Sequence, residues 1–124
     1  MNHSFEYEEF GTLIMLRGKF NVEDIMGLHK NIYNHPKPDE SCYFIIDATK
    51  MTIVEETHEV PLVIPFADRV FATYKPHMHA IFVSIDDDFI ALYKTYRDNL
   101  ASTDWIFKLF DTLEDARAYQ TSIC

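Results

Sequence analysis

Aspartates follow three apolar runs that predict buried strands, and carboxylates in such places can hold a divalent cation. Asp47 follows residues 42–46, Asp86 opens an acidic triplet after the second run, and Asp111 follows the third. Because ligands of open α/β sheets bind beyond the carboxyl ends of the parallel strands, these aspartates share one predicted edge. They could bind Mg²⁺ there. Aspartate is also a preferred helix N-cap, and the sequence favours capping for Asp86 and Asp111.

Three histidines are the candidates for metal binding or acid–base chemistry. His77 and His79 lie two residues apart, which places both rings on one side of an entering strand, and His58 is a conceivable third ligand. Glu55 and Glu56 stand close to His58 and could assist proton transfer. No Gly-rich phosphate loop is available in a chain with three glycines. We expect no metal, no cofactor and no enzymatic activity. The alternative is a metal-binding protein or small enzyme that uses these histidines and the strand-end aspartates.

Length and charge restrict the class of protein further. The chain has 124 residues, of which 48% are apolar, and this predicts a single domain over residues 1–124. Eleven Lys and Arg against twenty Asp and Glu give a net charge of −9. Such a surface disfavours nucleic acid and anionic membranes as partners. Apolar runs are too short for membrane insertion, and the amino terminus lacks the features of a secretory signal, so we expect a cytoplasmic protein.

The two cysteines are expected to act separately. Cys42 opens an apolar run, and Cys124 is the last residue. Two distant cysteines do not make a disulfide framework. We therefore interpret Cys42 as a small buried apolar residue and Cys124 as a loose terminal thiol.

Hydrophobic periodicity predicts five strands and four helices. Alternation around Gly11 and Thr12 predicts an opening antiparallel hairpin, over residues 5–10 and 13–19. Continuous apolar runs predict strands at residues 42–46, 80–85 and 105–110. Helical spacing predicts helices over residues 22–33, 65–74, 86–100 and 113–119, the last with Glu114 in the capping-box position after Asp111. The order β-β-α-β-α-β-α-β-α predicts an α/β fold with a mixed, mainly parallel sheet and flanking helices.

This element order resembles the STAS fold of bacterial anti-sigma-factor antagonists such as SpoIIAA. The run from Tyr43 to Thr49, Tyr-Phe-Ile-Ile-Asp-Ala-Thr, and the closing segment from Phe107 to Tyr119 are similar to the SpoIIAA-like family. That family is grouped with STAS and CRAL-TRIO-type lipid-binding domains. The resemblance covers essentially the whole chain. It implies a STAS-like domain with a regulatory, non-enzymatic role that binds a protein partner or an apolar, lipid-like small molecule.

The resemblance also implies a regulatory loop. Antagonists of this fold carry a phosphorylatable Ser after the strand that ends in Asp, and counting from Asp47 places Thr57 at that position. Glu56 and His58 replace the family's neighbouring residues, and a phosphate would add its charge beside two carboxylates. We expect Thr57 to be a turn or capping hydroxyl and the loop to be a constitutively acidic docking surface for a basic partner. The predicted regulatory loop comprises Asp47, Thr49, Glu55, Glu56, Thr57 and His58.

Aromatic residues make up 15% of the chain and recur on the predicted helices. Most are expected to be core, but some could line an apolar pocket or a partner-binding face. The candidate pocket residues are Phe66, Val70, Phe71, Phe89 and Tyr93. Oligomeric state is left open, with a homodimer as one candidate.

Overall fold

The computed structural model describes residues 3–20, 30–53, 72 and 75–124 of the chain. The strands within them are β1 (His3–Tyr7), β2 (Gly11–Phe20), β3 (Tyr43–Ile53), β4 (His79–Val83) and β5 (Ile106–Phe110), and the helices are α1 (Asp87–Asn99) and α2 (Leu113–Ile123). Residues 30–33 are also helical, in agreement with the helix predicted over residues 22–33. The rest of that helix, and all but residue 72 of the helix predicted over residues 65–74, lie outside the described residues.

The strands form one sheet in the order β1-β2-β3-β4-β5. β1 and β2 are antiparallel, with His3 opposite Leu16 and Tyr7 opposite Thr12. The other neighbouring pairs are parallel. The prediction of a mixed, mainly parallel sheet with an opening hairpin is therefore confirmed. Parallel neighbours need a long crossover connection, and α1 supplies one between β4 and β5.

Both faces of the sheet are buried, and each carries its own core. Successive side chains of a strand point to opposite faces, so Phe44 belongs to the first core and Ile45 to the second. α1 covers the first face, and α2 covers the second, where Ala116 is fully buried. The first core contains Ile14, Leu16, Ile32, Phe44, Ile46, Ala48, Met78, Ala80, Phe82, Phe89, Tyr93, Tyr96, Leu100 and Trp105, and the second contains Leu13, Tyr43, Ile45, Ile81, Val83 and Ala116.

β3 is longer than the sequence predicts, and this changes the position of Asp47. We expected a strand over residues 42–46 closed by Asp47, but β3 continues to Ile53. The extension is stable because β3 stays paired with β2 beyond a bulge, whereas β4 ends at Val83, opposite Asp47. Asp47 therefore lies inside β3, at the point where β3 loses its neighbour on one side.

The helix caps follow the prediction at α1 and depart from it at α2. Asp86 caps α1, since its carboxylate accepts the backbone N–H three residues later at 2.9 Å. The cap predicted at Asp111 is wrong by one residue. Thr112 has the extended backbone of an N-cap, and its hydroxyl accepts the N–H of Asp115 at 3.2 Å. Asp115, and not Glu114, therefore occupies the third helical position.

The opening hairpin turns earlier than predicted. β2 begins at Gly11, and the backbone N–H of Glu8 donates to the Gly11 carbonyl at 2.8 Å across the turn. A Cβ atom at position 11 would come within 2.5 Å of the Tyr43 ring. Gly11 therefore allows β2 to pack closely on β3. The sequence had placed Gly11 in the turn of the hairpin instead.

Candidate functional site

The carboxyl edge of the sheet is the end at which β4 and β5 reach their last residues. Val83 there pairs with Asp47 on one side and Phe110 on the other. The next residue, Ser84, is buried, and its Oγ accepts the backbone N–H of Asp86 at 3.0 Å. Because Asp86 in turn caps α1, two consecutive side-chain hydrogen bonds fix the connection between β4 and α1.

Asp47 and Thr49, two members of the predicted regulatory loop, contact each other at this edge. The Asp47 carboxylate accepts hydrogen bonds from the Thr49 backbone N–H at 3.1 Å and from the Thr49 hydroxyl at 2.7 Å. Asp47 therefore accepts local hydrogen bonds at the bulge of β3, and Asp86 serves as the cap of α1. Within the described ranges, no three His, Cys, Asp or Glu side chains are grouped so that they could hold a metal ion.

An exposed apolar residue with three carboxylates follows β4. We call Ile85, Asp86, Asp87 and Asp88 the Ile85 patch. All four residues are exposed, and Ile85 has 73% of its surface accessible. The apolar run over residues 80–85 predicted that Ile85 would be buried in a strand. β4 ends at Val83, so Ile85 lies beyond the last paired residue and faces solvent.

The same edge also carries cations. Beyond the end of β4, β2 and β3 continue as a projecting strand pair, in which Arg17 lies beside Lys50 and Lys19 lies beside Thr52. These four residues are exposed. In a chain with a net charge of −9, the carboxyl edge thus combines the carboxylates of the Ile85 patch with the cations of the projecting strand pair.

Many of the predicted site residues lie outside the described residues. This applies to Glu55, Glu56, Thr57 and His58 of the regulatory loop and to Phe66, Val70 and Phe71 of the candidate pocket, so those assignments stay predictions. The other two pocket residues are described. Phe89 and Tyr93 are buried in the first core, with their ring centroids 6.3 and 5.0 Å from that of Phe82.

The amino edge, at the opposite end of the sheet where β3 and β4 begin, holds an ion pair that the sequence did not reveal. Both guanidinium NH₂ groups of Arg117 donate to the Glu8 carboxylate, at 2.7 and 2.6 Å. The Tyr43 hydroxyl also donates to Glu8. Glu8 and Arg117 are 109 residues apart in sequence, so no local pattern could pair them.

These contacts change the proton affinity of all three groups. Burial raises the pKa of Glu8, but the hydrogen bonds from Arg117 and Tyr43 outweigh it, and the pKa lies below its ordinary value of 4.5. Burial and the hydrogen bond to Glu8 raise the pKa of Tyr43. The hydrogen bond to Glu8 also raises the pKa of Arg117. The cluster therefore stays charged as a Glu8–Arg117 pair with a neutral tyrosine, which is a structural arrangement.

The predicted pair of histidines is split by the fold. His77 is exposed before β4, whereas His79 is half-buried, with its Nδ1 atom 3.2 Å from the Tyr119 hydroxyl on α2. Burial lowers the pKa of His79, and the charge of Lys108 lowers it further. The neutral imidazole is therefore the form that the folded protein favours.

The lowered pKa of His79 predicts a loss of stability on acidification. The unfolded chain protonates this residue near its ordinary pKa of 6.5 and the folded protein only at lower pH. The free energy of unfolding should therefore fall as the pH drops from about 6.5 towards the folded-state pKa. In urea unfolding between pH 8 and 5, His79→Gln should flatten this dependence, and His77→Gln, the same change at an exposed position, is the matched control. An unchanged pH dependence in His79→Gln would contradict the prediction.

A disulfide joins Cys42 and Cys124, so the expectation of one buried thiol and one loose terminal thiol is wrong. The Cα atoms are 6.8 Å apart, although 82 positions separate the two residues in sequence. The physical reason is the path of α2. This helix begins at the carboxyl edge and runs back along the second face, so its last residue reaches the amino edge beside the start of β3.

The fold has a counterpart among solved structures. The chain is similar to the crystal structure of an uncharacterized protein of the DUF3478 family from Shewanella loihica PV-4, which has a SpoIIAA-like fold. The TM-score is 0.58 at 13% identity, and the match covers 95% of this chain and 93% of that one. The predicted SpoIIAA-like fold is thereby confirmed.

No protein-family model and no curated protein matches the chain. Of the helices that the structure describes, none is long and apolar enough to span a bilayer.

Proposed function

We propose that the protein is a non-enzymatic, cytoplasmic regulatory module that docks a protein partner at the carboxyl edge. The observation that carries the proposal is the Ile85 patch, in which an isoleucine with 73% of its surface exposed is followed by three exposed aspartates. Protein interfaces commonly place an apolar anchor inside a polar rim. The partner surface that fits is an apolar pocket rimmed by Lys or Arg.

The backbone that presents Ile85 is held in place before any partner binds. Ser84 and Asp86, on either side of Ile85, are joined by a hydrogen bond of 3.0 Å, and Asp86 is bonded to the first turn of α1. A preorganised binding residue loses less conformational entropy on association. This supports Ile85 as the anchor of the docking surface.

Packing of the aromatic residues favours a protein partner over an apolar small molecule. Phe89 and Tyr93 of the candidate pocket pack against the buried ring of Phe82. These two rings of α1 therefore belong to the core and do not line an open pocket. The carboxylate of Asp47 accepts hydrogen bonds at the bulge of β3 and that of Asp86 caps α1, which supports a binding role over an enzymatic one.

Replacing Ile85 should remove the anchor without disturbing the fold. Ile85→Ser is expected to weaken partner binding about 30-fold, since truncation of an interface hot spot costs about 2 kcal/mol. Ile106→Ser is the matched control, because Ile106 is 45% exposed but lies at the other end of the sheet. Native mass spectrometry of the tagged chain purified from its own host reports the partner bound by each variant. Equal retention by Ile85→Ser and Ile106→Ser would contradict the proposal, and a bound lipid in place of a protein would favour the small-molecule alternative.

The negative charge of the predicted regulatory loop should contribute to partner binding. Glu55→Lys combined with Glu56→Lys is expected to weaken binding of the same partner and to flatten its dependence on salt. Thr57→Glu should change the affinity little, because it adds one charge to a segment that already has several. Pull-downs at increasing NaCl concentration compare the variants. Loss of binding in Thr57→Glu alone, or phosphothreonine at Thr57 in cell extracts, would show a phosphorylation switch.

A further inference from the structure

The two sulfur atoms of the Cys42–Cys124 disulfide lie in different surroundings. Cys42 is half-buried and held by the sheet on both sides, since its N–H donates to the Phe10 carbonyl at 2.6 Å and its carbonyl accepts from the His79 N–H at 2.9 Å. Cys124 is exposed and follows the last turn of α2, where its N–H donates to the Gln120 carbonyl. A small thiol or disulfide can therefore reach Cys124 more easily than Cys42.

α2 is attached to the rest of the domain by core packing, by polar contacts and by the disulfide. Ala116 is fully buried in the second core, Arg117 is paired with Glu8, and Cys124 is bonded to Cys42. Beyond Arg117, the helix is half-buried at Tyr119, Gln120 and Ile123, and the Tyr119 hydroxyl lies 3.2 Å from His79 Nδ1. Breaking the disulfide therefore leaves the first half of α2 docked and removes the covalent attachment of its last turn.

We propose that the Cys42–Cys124 bond is a reversible redox tether that fixes or releases the last turn of α2. The oxidant is a low-molecular-weight disulfide. The exposed Cys124 thiolate attacks it, forming a mixed disulfide and releasing one small thiol, and the Cys42 thiolate then attacks the Cys124 sulfur and releases the second. Two electrons pass from the protein to the small disulfide, and the two thiol protons end on the two released thiols.

The proposed cytoplasmic location is consistent with a reversible Cys42–Cys124 disulfide. In the cytoplasmic location that forms part of the proposed function, disulfides are usually transient and redox-sensing. The tether itself does not involve the Ile85 patch, which lies at the opposite edge of the sheet. Failure of the tether would therefore leave the Ile85→Ser experiment unaffected, and the two proposals fail independently.

The test is amide hydrogen exchange of the full chain, equilibrated with either reduced or oxidised glutathione. Intact mass should show bond formation as a loss of about 2 Da in the oxidised sample. We expect exchange of residues 119–123 to be at least tenfold faster in the reduced protein, with β3 and β4 unchanged. Cys124→Ser and Cys42→Ser should show the fast rate in both buffers. Thr121→Ser, an exposed change in the same turn, should keep the redox difference.

Two outcomes would overturn the proposal. One is failure of oxidised glutathione to form the bond in the folded chain. The other is an identical exchange rate of residues 119–123 in the oxidised and reduced proteins, which would show that the turn is fixed by packing alone.

Discussion

Cys124→Ser is expected to lower the melting temperature of the oxidised protein by roughly 10 °C. The disulfide joins residues that are 82 positions apart in sequence, and cross-linking a long loop restricts the unfolded chain. Native disulfides of this kind contribute about 2–4 kcal/mol, and each kcal/mol shifts the melting temperature by roughly 3–5 °C at this chain length. Calorimetry of the wild type and the variant, both without reductant, measures the difference.

The matched control replaces the other cysteine of the disulfide, Cys42. Cys42→Ser should lower the melting temperature by a similar amount, with a small further loss because Cys42 is half-buried. Adding reductant should destabilise only the wild type. A melting temperature of the wild type that does not respond to reductant would contradict the prediction.

Arg117→Met is expected to lower the free energy of unfolding at pH 7 by about 2 kcal/mol. Methionine keeps the apolar stem of the side chain but removes both hydrogen bonds to Glu8, so a carboxylate with 20% of its side chain exposed loses its cationic partner. Hydrogen bonds to charged groups contribute about 1.5–3 kcal/mol, and partial exposure of Arg117 reduces the effect through solvent screening. Arg117→Lys, which keeps the charge without the bidentate geometry, should give an intermediate value.

The same variant should change the response to acid. Because the folded-state pKa of Glu8 lies below 4.5, its contribution is fully present above that value and is lost as the pH falls through the folded-state pKa. Without Arg117, burial raises the pKa of Glu8 with less opposition, so this acid-side loss should shrink. Urea unfolding at pH 7, 5, 4 and 3 measures it. An equally steep acid dependence in Arg117→Met would show that the ion pair does not stabilise the fold.

Continuous apolar runs and hydrophobic periodicity predicted most of the fold, because they report burial directly. Phe44 and Ile45 on neighbouring positions of β3 belong to opposite cores, as expected for a strand covered on both faces. Prediction from apolar runs failed at the ends of strands, where the pairing with neighbouring strands decides how far a strand extends. Ile85 continues an apolar run but lies beyond the last residue of β4, and β3 continues through polar residues because β2 still pairs with it.

Residues of the candidate site that depend on the path of the chain could not be found from sequence. Glu8 meets Arg117, and Cys42 meets Cys124, only because α2 returns along the second face to the amino edge. The direction of α2 follows from its connection to β5. The side chains that α2 contacts, in contrast, depend on its exact position over the sheet, which no sequence pattern reports. Asp47 is an intermediate case, because the sequence singled it out but its hydrogen bond to Thr49 depends on the bulge of β3.

The spatial order of the five strands has a consequence for synthesis on the ribosome. Each strand lies next to the one made just before it, so an emerging chain can extend the sheet one strand at a time without leaving a gap for a later segment. The second face is different, because α2, which covers it, is synthesised after all five strands. Leu13, Ile45 and Ile81 therefore stay without the cover of α2 until that helix has left the exit tunnel, and apolar surface left uncovered during synthesis favours aggregation.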